Sequence, residues 1–62
     1  MLYKMKNRRL KLGLTQAKLG KRVGIQQRRY SNYELGTRNM PVSVAKKIAK
    51  ELSMNWWELY EE

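Results

Sequence analysis

An all-α fold, a compact bundle of five short helices, is what this sequence predicts, and three observations carry it. Apolar residues recur at helical spacing along the chain, and no segment alternates with period two over a useful length. Glycine, proline or a capping residue falls between successive apolar stripes. With 62 residues, the chain suits a single domain spanning 1–62, near the lower limit of independent folding.

Leu2, Met5, Arg9 and Leu12 fall at i, i+3, i+7 and i+10, so a first helix buries that stripe and carries Arg9 on it. Gly13 suits the left-handed conformation after a helix end. Thr15 is a good N-cap for a second helix, with Leu14 and Leu19 at hydrophobic-staple spacing around it. That helix runs to about Val23, where Gly24 ends it. A third runs from about Gln27 to Leu35, and Gly36 stops it. Pro41 suits the start of a fourth, whose stripe is Val44 or Ala45, then Ile48, Ala49 and Leu52. Asn55 opens a short fifth helix, with a capping box to Glu58 and a staple between Met54 and Leu59.

The composition narrows function before any motif is considered. There is no cysteine and no histidine, so disulfides, Cys/His zinc sites, catalytic triads and thiol chemistry are excluded. An enzyme is not expected, nor a metal or a cofactor. The net charge is +9, and it is unevenly spread: residues 1–33 hold ten basic residues and no acid, whereas 34–62 hold four basic residues and all five acids. Segregation of this kind points to a polyanion met by the first half of the chain; a merely solubilising surface does not require it. No secretory signal or membrane-crossing run is present, and the expected compartment is the cytoplasm.

Function concentrates between Gln16 and Gly36. Two short helices joined by a tight glycine-containing turn form the arrangement whose second helix enters the DNA major groove. Gly20 is small where the helices cross, and Leu19, Val23, Ile25, Tyr30 and Tyr33 supply the contacts that hold the crossing. On the third helix, Tyr30, Tyr33 and Glu34 share one side. Gln27, Arg28, Ser31 and Asn32 share the other, and their side chains can hydrogen-bond base edges. Arg28 and Arg29 stand in the first turn, where the helix dipole disfavours cations, so they make sense against phosphate or guanine.

These residues resemble the lambda-repressor-like helix-turn-helix domains of the Xre/Cro type, found in phage repressors and bacterial regulators. The match runs through Gly13-Leu14-Thr15-Gln16, Leu19, Gly24-Ile25, Ser31, Glu34, Gly36, Pro41, Ile48-Ala49-Lys50-Glu51-Leu52 and Glu58-Leu59, covering about Lys6 to Tyr60. It implies base contacts by Gln27, Arg28 and Asn32, and backbone contacts by Gln16, Lys18, Arg29, Ser31, Thr37 and Arg38. It also implies an ion pair between Arg9 and Glu34, which joins the separate observation that Arg9 lies on an apolar stripe, because a buried charge needs a partner.

The sequence departs from the family pattern in places. Gln26 stands where a Ser or Thr N-cap is usual. Tyr30 replaces an aliphatic residue and Gly20 an alanine, so the larger ring is expected to fill the space of the missing methyl. Leu35 stands where Asn is common, which removes one backbone contact.

Lys4, Arg8 and Lys11 either flank phosphates or are solvated, while Lys18, Lys21 and Arg22 lie on a helix that crosses the backbone in this motif. Lys46, Lys47 and Lys50 read as a solvated face. Adjacent tryptophans on one helix point about 100° apart, so Trp56 and Trp57 cannot both face inward. Trp57 is the expected exposed member of a dimer contact formed by Trp56, Trp57 and Tyr60. The combined expectation is a sequence-specific regulator of double-stranded DNA, a repressor that occupies a pseudo-palindromic operator as a homodimer. The rival from another class is a protein-interaction module of antitoxin or anti-repressor type, for which the tryptophan pair would be the surface. Gln27, Ser31 and Asn32 on the exposed face argue against a membrane-surface role, and no stacking platform suggests RNA.

Overall fold

In the computed structural model, which describes residues 1–61, the elements follow in the order α1 (Tyr3–Lys11), α2 (Gln16–Val23), α3 (Gln27–Leu35), α4 (Val42–Leu52) and a 3-10 helix (Trp56–Tyr60). Gly24 and Gly36 end α2 and α3 at φ of +76° and +82°, a conformation that an L side chain disfavours. Thr15 caps α2, its hydroxyl accepting the Lys18 N–H at 3.1 Å. Leu14 and Leu19 flank that cap and are both buried.

Two expectations about the elements are corrected. Four α-helices are present, and the fifth element is a 3-10 helix of five residues. Asn55 does not cap it: its side-chain amide donates to the Glu58 carboxylate at 2.7 Å. With no side-chain oxygen on the first-turn N–H groups, the backbone satisfies itself by tighter i→i+3 bonds, Glu58 N–H to the Asn55 carbonyl at 3.0 Å and Glu61 N–H to the Glu58 carbonyl at 3.1 Å. Leu12 is the second correction. It is 46% exposed at the C-cap of α1, where its N–H still bonds to the Arg8 carbonyl but the next residue, Gly13, turns the chain away.

The core is built from Met5, Leu19, Tyr30, Ile48, Leu52 and Leu59, all fully buried, with Tyr33, Ala45 and Ala49 closing around them. α4 packs on α2 and on the 3-10 helix, while α2 packs on α3 and α1 touches α3 and α4. Gly20 is buried, and a Cβ there would come within 2.7 Å of the Ile25 carbonyl oxygen. The space beside Gly20 is therefore taken by the backbone of the turn, which replaces the expectation that the Tyr30 ring fills it. Ile25 N–H closes this turn on the Gly20 carbonyl at 2.9 Å.

Candidate nucleic-acid interface

α3 turns one side wholly into the protein. Tyr30, Tyr33 and Glu34 are buried, and Glu34 meets Arg9 of α1 in an ion pair with N–O distances of 3.2 and 3.4 Å. The pair has more partners than its two members. Arg9 Nη1 also donates to the Leu14 carbonyl at 2.8 Å, and Gln16 Nε2 donates to Glu34 Oε2 at 2.6 Å. A buried ion pair is tolerated when its remaining hydrogen-bonding capacity is met in this way. Leu2 N–H reaches the Glu34 carbonyl at 2.8 Å, so the start of the chain is tied to the same end of α3. Tyr30 lies beside Arg9 and Glu34, and burial pushes its phenol pKa well above the usual range. Its hydroxyl has no hydrogen-bond partner among the described residues.

The opposite side of α3 faces outward. Gln27, Arg28 and Arg29 are exposed, while Ser31 and Asn32 are half-buried. Gln26 precedes the helix in an extended conformation and makes no side-chain cap, and the first turn holds no acid. Gln26, Arg28, Arg29, Asn32 and Arg38 line one shallow depression of about 300 Å³. No carboxylate forms a salt bridge with Arg28, Arg29 or Arg38 among the described residues. The fold thus gathers three guanidinium groups from α3 and the following loop around one concavity.

Thr37, expected on a phosphate, bonds within the chain to Asn32. Its N–H goes to the Asn32 carbonyl at 3.0 Å. Its hydroxyl lies 3.2 Å from that carbonyl and 3.3 Å from Asn32 Oδ1. Both donors of Thr37 thus point back at Asn32, and Arg38 of the same loop is exposed. Gln16, expected on a phosphate, uses one amide hydrogen on Glu34 and retains a second for another acceptor. Lys18 is exposed in the first turn of α2.

Sequence reasoning missed two of these roles. Gln26 was read only as a weak cap, yet it borders the depression; its place directly before the basic first turn of α3 was the available signal. Arg8 left open a choice between phosphate and solvent. In the fold its Nε donates to the Leu52 carbonyl at 2.8 Å, closing the C-terminus of α4, and only a tertiary contact across 44 residues reveals it. Arg8 also lines a larger groove of about 610 Å³ between α1 and the α4 connection, where Lys4 and Lys11 sit at its edge. That groove is not on α3. Lys4 pairs with Glu61 there, which raises the lysine's pKa through the hydrogen bond and the opposite charge.

At the C-terminus, Trp57 is 53% exposed and Tyr60 38%, whereas Trp56 is half-buried against the core. Trp56 meets Trp57 and Tyr60 edge-on, at ring-centre distances of 5.8 and 6.3 Å. The Tyr60 hydroxyl donates to the Met40 carbonyl at 2.7 Å, and burial raises its pKa.

Comparison with known proteins agrees with the α2–turn–α3 geometry. A family described as helix-turn-helix matches residues 5–55. The chain belongs to the lambda-repressor-like, Xre/Cro-type helix-turn-helix family. An uncharacterized HTH-type transcriptional regulator of Bacillus subtilis (strain 168), YqaF, is 36% identical over 58 residues, covering 94% of this chain and 76% of that relative. No solved structure matches the chain. Among the described residues, no group of acidic, histidine or cysteine side chains could hold a metal, and no helix is long and apolar enough to cross a membrane. In helix-turn-helix domains the second helix of the motif, the recognition helix, is the one that enters the major groove, and α3 holds that position in the chain.

Proposed function

We propose that this helix-turn-helix domain is a sequence-specific double-stranded DNA-binding transcriptional regulator, acting as a repressor by occupying a pseudo-palindromic operator as a homodimer. The observation that carries the reading is the outward side of the recognition helix. Gln27 and Arg28 are exposed, Asn32 stands beside them, and Arg29 and Arg38 flank them without carboxylate partners. Gln27, Arg28 and Asn32 read base edges. Arg29, Arg38, Lys18, Ser31 and the second amide hydrogen of Gln16 meet phosphates. Thr37, assigned to the backbone by family resemblance, serves this surface through Asn32.

Trp57 and Tyr60 are the exposed aromatic members of the dimer contact, with Trp56 supporting them from the core side. Cα extents of 21 × 21 × 19 Å suit two copies placed about one helical turn, ~34 Å, apart. Selection of bound sites from random duplex DNA at two salt concentrations tests the whole reading. The expected outcome is a motif with two half-sites about 10 base pairs apart. Affinity should fall with salt at a slope near −0.9 for each phosphate neutralised. Recovery of no motif, with binding insensitive to salt, overturns it.

A second reading, a protein-interaction module of antitoxin or anti-repressor type, draws on the exposure of Trp57. It predicts a stoichiometric protein partner lost on Trp57→Ala, together with DNA binding that is absent at every salt concentration.

A further inference from the structure

Resting on the reading of Arg38 as a phosphate contact, we propose that Tyr60 is a positioning residue of the DNA interface. Its hydroxyl holds the loop that carries Arg38, and so ties the aromatic surface of the 3-10 helix to the grip of that loop on the DNA backbone.

Residues 36–40 connect α3 to α4, and all but Met40 are exposed. A loop with so few apolar contacts keeps its shape where its backbone is bonded. At its start, the N–H groups of Gly36 and Thr37 both reach the Asn32 carbonyl, the latter at 3.0 Å. At its end, the Met40 side chain is buried, and Pro41 follows with φ fixed by its ring at −63°. The Met40 carbonyl accepts the Tyr60 hydroxyl at 2.7 Å, a bond that spans 20 residues of sequence. Arg38 stands between these two anchors.

Its surroundings link the two surfaces. Arg38 borders a concavity of about 410 Å³ together with Leu35, Met40 and Tyr60. It also borders the arginine depression on α3, and it is the residue common to both. An arginine on an unanchored loop gives up backbone freedom as well as side-chain freedom when it grips a phosphate, and anchoring the loop beforehand lowers that cost. The ring of Tyr60 meets Trp56 edge-on, a contact that phenylalanine would make equally well. What tyrosine adds at this position is the hydroxyl, and the hydroxyl goes to the loop.

Titration of the selected site and of an unrelated duplex tests this, with the wild-type chain, Tyr60→Phe, Arg38→Ala and the double variant, at a temperature where all four are folded. Tyr60→Phe keeps the ring and removes only the hydroxyl. It is expected to weaken binding to both duplexes alike, by roughly threefold, with the selected motif unchanged, as a backbone contact requires. Arg38→Ala should weaken both and lower the salt slope by about 0.9. In the Arg38→Ala background, Tyr60→Phe should have no further effect, whereas a loss that arises from stability or from dimerisation would persist there. Persistence of the full loss in that background overturns the inference, as does an affinity unchanged by Tyr60→Phe or by Arg38→Ala; in each case the DNA-binding reading stands. If the wild type binds neither duplex, both fall.

Discussion

The two helices of the motif are secured at opposite ends. α2 is fixed where it starts: Thr15 caps it, Leu14 and Leu19 flank the cap, and Gln16 reaches into the buried ion pair. α3 starts with no side-chain cap and no acid, and with two arginines in its first turn. It is held where it ends, through Glu34 on Arg9 and Gln16, and through the bond from Leu2 N–H to the Glu34 carbonyl. A helix that must meet an anion with its N-terminal half benefits from anchorage at its far end, because acids near the start would compete with phosphate for the arginines and the dipole.

The largest break of this arrangement is Glu34→Ala. It leaves Arg9 buried without its carboxylate and should cost about 3–5 kcal/mol, enough to leave so small a chain substantially unfolded. Thermal and urea melts followed by circular dichroism check it. The double change Arg9→Met with Glu34→Leu should recover most of that loss, since well-packed apolar residues often replace a buried pair at little cost. Next comes Arg28→Ala, on the open end of the recognition helix. It should cost on the order of 1–3 kcal/mol on the preferred DNA site and relax one base position, with the melt unchanged. Equal weakening on all sequences would instead assign Arg28 to phosphate.

Thr15→Ala removes the cap of α2 and should cost about 1 kcal/mol of stability in the same melts. Tyr30→Phe deletes a buried hydroxyl that has no partner, so stability should hold or rise by up to about 1 kcal/mol. The smallest effect sharpens the comparison most. Gln26→Ser gives α3 the cap it lacks and should raise stability by about 0.5–1 kcal/mol. Because Gln26 borders the arginine depression, its loss should also weaken DNA binding slightly, which titration on the selected site would detect.

Helix ends were legible in the sequence because their causes are local. Gly24 and Gly36 take a conformation that other residues resist, and Thr15 bonds an N–H three residues ahead; neither needs the rest of the chain. The division of α3 into a buried and an open side was legible too, since 3.6-residue periodicity places Tyr30, Tyr33 and Glu34 together. Periodicity failed at Leu12, where the helix had already stopped, and at the 3-10 helix, where five residues and a misdirected Asn55 could not sustain an α-helical turn.

Contacts between distant residues were decided only by the tertiary structure. Arg8 on the end of α4, Gln16 on Glu34 and Leu2 on the end of α3 join residues 18 to 44 positions apart, and nothing in their local sequence selects one partner over water. Thr37 and Asn32 are only five residues apart, yet their contact needs the reversal at Gly36. Charge and composition already pointed to a polyanion and excluded thiol and imidazole chemistry, because those are properties of an inventory. Which arginines remain open to a polyanion depended on where the carboxylates of the described residues came to rest. Packing sent Glu34 inward to Arg9 and left Arg28, Arg29 and Arg38 without a carboxylate among the described residues.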